Sequence, residues 1–68
     1  MSKILYEIWW IDDERGNERP LASLLDVYSN LYRHNVVSTD YKRLEKTCEY
    51  MRDVTYYKYE IRVKDEIH

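Results

Sequence analysis

Alternation of apolar and polar side chains is the clearest signal in the chain. From Thr55 to Lys64, Tyr57, Tyr59, Ile61 and Val63 fall on one side and Lys58, Glu60, Arg62 and Lys64 on the other, the period of two that marks a half-buried strand. A second strand is predicted over Lys3 to Asp12, which is rich in β-branched and aromatic residues. Ile4, Tyr6, Ile8 and Trp10 line one of its faces; Leu5, Trp9 and Ile11 line the other, interrupted by Glu7. The cluster Asp13-Glu14-Arg15-Gly16-Asn17 then predicts a turn.

Between the strands the period changes to that of helices. Pro20 opens a run with apolar residues at Leu21, Leu24, Leu25, Tyr28, Leu31 and Tyr32, and Arg33, His34 and Asn35 suit a helix C-terminus. After Val36-Val37, Ser38-Thr39-Asp40 supplies N-cap candidates for a second helix, in which Tyr41, Leu44, Cys48 and Met51 recur at helical spacing to about Asp53. The expectation is one α+β domain over residues 1–68, a small βααβ unit with two antiparallel strands packed on two helices. A two-stranded sheet is marginal even when helices cover one side. The reading therefore leaves the sheet open to extension by dimerisation, by a partner, or by a short third strand at Val36-Val37.

Composition narrows the chemistry. At 68 residues the chain buries only about 60% of the surface its unfolded form exposes, so its stability is modest. Cys48 is the one cysteine, which excludes an internal disulfide, and no apolar run reaches the roughly 18 residues that cross a bilayer. A lone thiol, and a start Met1-Ser2-Lys3-Ile4 without the pattern of a secretion signal, point to the cytoplasm and away from a membrane. Net charge is −2, with the surplus acid at Asp12, Asp13, Glu14 and Glu18, so whole-chain charge shows no basic nucleic-acid footprint. Eight Tyr beside one Ala and one Gly fit A/T-rich codons, as in a compact phage gene.

Motifs for catalysis are missing. One glycine cannot build a phosphate loop, Cys48 lies on the apolar stripe of its helix, and His34 and His68 fit no metal-ligand spacing. Asp12, Asp13 and Glu14 read as a solvated acidic turn rather than a hard-cation site. No catalytic residue, metal, cofactor or small-molecule substrate is implied.

What remains is binding. The second apolar face of the first strand has no partner in a βααβ topology, and Trp and Tyr are the residues that most often dominate interfaces. The expected function is a non-enzymatic protein-interaction domain, of the kind a phage uses as a viral inhibitor or modulator of a larger host protein. Its partner-binding residues would be Leu5, Trp9, Ile11 and Tyr56. One alternative is a single-stranded nucleic-acid binder using Tyr56, Lys58, Arg62 and Lys64 of the C-terminal strand, where rings and cations interleave. Another is an oligomeric structural or assembly subunit, with the protein its own partner.

Overall fold

The computed structural model describes residues 3–24 and 35–67. Strand β1 covers Lys3–Asp12, the span its composition predicts. A four-residue connection then turns the chain, with Gly16 at φ 68°, the left-handed conformation a glycine adopts without Cβ strain. The chain returns immediately as β2, Asn17–Pro20, paired antiparallel with β1 from Trp9↔Pro20 to Asp12↔Asn17. β3 is the two-residue strand Val37–Ser38, helix α1 runs Tyr41–Val54, and β4 runs Lys58–Ile67.

The sheet therefore has four strands, and the expected pair of strands is corrected. β4 pairs along β1 from Lys3 to Ile11, so β2 and β3 divide the opposite edge of β1 between them, β3 at Tyr6 and Glu7. Both edges of β1 are thus occupied within the chain, and the Ile8 N–H also donates to the Val36 carbonyl at 3.0 Å. The sequence pattern missed β2 because Asn17, Glu18 and Arg19 have low strand propensity. Pro20, expected to open a helix, instead ends β2, and strands that carry proline lie at sheet edges, as β2 does here.

Leu21–Leu24 form a 3-10 turn in which the Ser23 hydroxyl donates to the Pro20 carbonyl at 2.7 Å. The rest of the first expected helix, residues 25–34, lies outside the described residues. Among the described residues there is one α-helix, and it is the second of the two expected. Its N-cap is Asp40, whose carboxylate accepts from the Arg43 N–H at 3.3 Å, while the Ser38 hydroxyl accepts from the Asp40 N–H at 3.0 Å.

The core lies between α1 and one face of the sheet. Ile8 and Tyr59 from the strands meet Leu44, Cys48 and Met51 from the helix, with Leu21 and Val36 closing the side. Leu44, Cys48 and Met51 are the expected stripe; Thr47 is buried beside them and donates its hydroxyl to the Arg43 carbonyl at 3.2 Å. Tyr41, expected in that stripe, stays exposed and meets Tyr6 edge-on at 5.0 Å between ring centres. Arg52 ties α1 to β4 by donating to the Tyr59 carbonyl at 3.2 Å.

β4 begins three residues later and ends three residues later than the alternation predicts. Leu5 pairs with Asp65 and Tyr6 with Val63, so Lys64 is an extra residue and the pairing shifts there. Such a bulge reverses the inside-outside pattern beyond it, so Ile67 pairs with Lys3 on the face away from α1 and is exposed. Val63, before the bulge, stays opposite Tyr6 and is exposed on the α1 side. No helix among the described residues is long and apolar enough to cross a membrane.

Candidate functional site

Paired residues of an antiparallel sheet share a face. The register therefore gathers Leu5, Trp9 and Ile11 of β1 on the face away from α1, with Glu60 opposite Trp9, Lys58 opposite Ile11 and Arg62 opposite Glu7. All three apolar side chains are half-buried.

Trp9 is covered by a neighbour from β4. The Arg62 guanidinium lies 4.6 Å from the indole ring centre and extends over β1 to Glu18 on β2. There Nη1 donates to Oε2 at 3.2 Å and Nη2 to Oε1 at 3.0 Å, a two-pronged bond that fixes the guanidinium plane. Arg62 Nε donates to Glu60 at 2.8 Å, and the indole N–H of Trp9 donates to Glu7 at 2.8 Å. Bonding to Glu18 first, then to Glu60, raises the Arg62 pKa, so its charge is fixed throughout the biological range. The network satisfies the polar groups of this face while a cation caps the aromatic ring.

Ile11 and Tyr56 line a common cleft at the end of the sheet. The turn after β1 and the connection between α1 and β4 lie side by side there and enclose a cleft of about 580 Å³. Ile11, Asp12, Asp13 and Glu14 come from one wall; Tyr56 and Tyr57 come from the other.

Thr55 builds the second wall. Its N–H and hydroxyl both donate to the Met51 carbonyl, at 3.0 and 2.9 Å, ending α1. The same hydroxyl lies 2.9 Å from the Tyr59 hydroxyl, and it accepts from the Tyr57 N–H at 3.4 Å. Tyr57 is further held edge-on against Trp10, with ring centres 5.1 Å apart. Tyr56, between these anchors, is fully exposed.

Charge at the cleft is unbalanced. Lys58 bonds to Asp13, and this bond raises its pKa above the ordinary 10.5. Arg15 lies 3.9 Å from Asp12. Among the described residues no group of His, Cys, Asp or Glu is arranged to hold a metal ion.

The structure thus separates the expected site residues. Ile11 and Tyr56 line one cleft, Trp9 lies under Arg62, and Leu5 sits farther along β1, opposite Asp65. Of the residues assigned to nucleic-acid binding, Lys58 and Arg62 are bonded to carboxylates within the chain, while Lys64 is exposed at the bulge. Sequence reasoning missed Tyr57, Asp13 and Glu18. Alternation counted Tyr57 into the strand, but β4 starts at Lys58 and Tyr57 is 47% exposed. Asp13 and Glu18 gain their roles from a hairpin that the pattern did not show.

Compared with family models, with curated proteins and with solved structures, the chain matches none.

Proposed function

We propose that the chain is a non-enzymatic binding module that docks another, larger protein at the Tyr56 end of its sheet and modulates it. The observation that carries the reading is the fully exposed Tyr56, held over a cleft by a connection that Thr55 bonds on both sides. A large ring kept in water on an ordered support forgoes its own burial, and a pre-positioned aromatic loses little entropy when a partner covers it. Ile11 and Tyr57 extend the apolar surface around it.

The titratable groups favour binding over catalysis. Burial pushes the Cys48 thiol up, against the lowering effect of Arg52, and a raised thiol is a poor nucleophile at neutral pH. The shifts at Lys58 and Arg62 have ion pairs as their cause.

Two other readings have less support. A nucleic-acid site would draw on Lys58 and Arg62, both already bonded to carboxylates. Oligonucleotide binding that weakens steeply with salt would favour it over the protein-binding reading. Self-association would use the outer edge of β4, where the Lys64 bulge and a dense run of charges blunt strand addition.

The test is affinity capture from lysate of the native host with three baits: the wild-type chain, Tyr56→Ala and Trp9→Ala. A partner should be held by the wild type and lost from Tyr56→Ala. Retention of every partner by Tyr56→Ala would sink the reading, and loss from Trp9→Ala alone would move the site to the face of the sheet.

A further inference from the structure

We propose that the cleft at the end of the sheet reads a basic side chain, an arginine or lysine that a partner protein presents next to an apolar residue. The inference rests on the binding-module reading and adds the chemistry of the partner to it. Two unrelated features of the cleft favour a cation. One wall carries the carboxylates of Asp12, Asp13 and Glu14, of which Asp12 lies 3.9 Å from Arg15 and Asp13 bonds to Lys58, leaving Glu14 as the surplus negative charge. The other carries the rings of Tyr56 and Tyr57, whose π faces also attract positive charge. Ile11, on the carboxylate wall, offers an apolar contact for the stem of a long basic side chain.

The chain itself shows that the wall accepts an ammonium group. Lys58 lines the same cleft and bonds to Asp13. It is an internal competitor for the incoming cation, so its removal frees a carboxylate that a partner can use. Glu14 and Tyr56 are exposed and lie outside the core, so substitutions there leave the fold intact.

The experiment titrates the isotope-labelled full chain at low salt with a terminally blocked Leu-Arg-Leu peptide and with its Leu-Gln-Leu and Leu-Glu-Leu counterparts. The arginine peptide should bind about tenfold more tightly than the glutamine peptide, the summed effect of one exposed ion pair and one exposed cation–π contact. Its amide shifts should fall on Asp13, Glu14, Tyr56 and Tyr57. The preference should shrink in Glu14→Gln and in Tyr56→Ala, and grow in Lys58→Gln. Equal binding of the three peptides, no binding of any, shifts confined to another surface, or an unchanged preference in Lys58→Gln would each overturn the assignment. Those outcomes leave the broader reading to the lysate capture, which uses no basic probe.

Discussion

The two faces of β1 carry similar side chains and are covered by different means. On one, Ile8 is fully buried among Leu44, Met51 and Tyr59, an apolar residue packed by apolar residues. On the other, Trp9 is covered by a guanidinium that β4 supplies and that acids of β2 and β4 hold in place. An apolar face without an apolar partner is therefore not automatically vacant, because an arginine two positions along a neighbouring strand can roof a tryptophan. The surface left for a partner moves from the face of the sheet to its end, where Tyr56 has no roof.

The strongest way to break the comparison is to damage the packed face. Leu44→Ala should cost about 2–5 kcal/mol in urea unfolding, enough to unfold much of a domain this small. A cost under about 1 kcal/mol would show that α1 does not seal the core. Thr55→Val should cost about 1–2 kcal/mol by stripping partners from the end of α1, and it should also weaken capture because Tyr57 loses an anchor. Full capture by Thr55→Val would show that Thr55 does not position the cleft.

The roofed face should respond to different variables. Arg62→Ala should uncover Trp9, raising acrylamide quenching of tryptophan fluorescence, and should weaken the salt dependence of the unfolding midpoint. Unchanged quenching would contradict the Arg62 roof.

A smaller effect concerns pH. Burial raises the folded-state pKa of Cys48, so its stabilising contribution is complete below the ordinary value of 9.0 and is lost as pH climbs through the raised value. Stability should therefore fall between 9.0 and the raised value more steeply in the wild type than in Cys48→Ala. Lys58 is also raised, by its bond to Asp13, and its window opens only above 10.5. Parallel pH profiles for the two proteins would show that Cys48 titrates as a free thiol.

Much of this fold is legible in the residues, for reasons that are local. β1 follows from its composition, and α1 from Asp40 as cap and from the Leu44, Cys48, Met51 stripe, because strand propensity, capping and helical period act within a few residues. β2 is not legible in that way, and β3 only as the short strand at Val36-Val37 that the pattern left open. Asn17–Pro20 and Val37–Ser38 become strands because β1 offers them an edge, which is a tertiary cause. The bulge at Lys64 is equally silent, since the alternation runs straight through it. At the site, Tyr56 and Ile11 were visible as apolar residues out of place in a βααβ plan, while the Trp9 roof depended on Glu18 reaching Arg62, residues 44 positions apart.

The smallest expected stability effect has the largest functional one. Tyr56→Ala should leave the urea stability unchanged within about 0.5 kcal/mol, since the residue is fully exposed and outside the core cluster. Capture of the partner by Tyr56→Ala, with the folded wild type as reference, tests the central claim most directly. The account predicts that the folded variant loses the partner that the wild type holds. A folded variant that holds the same partner in the same amount would contradict it.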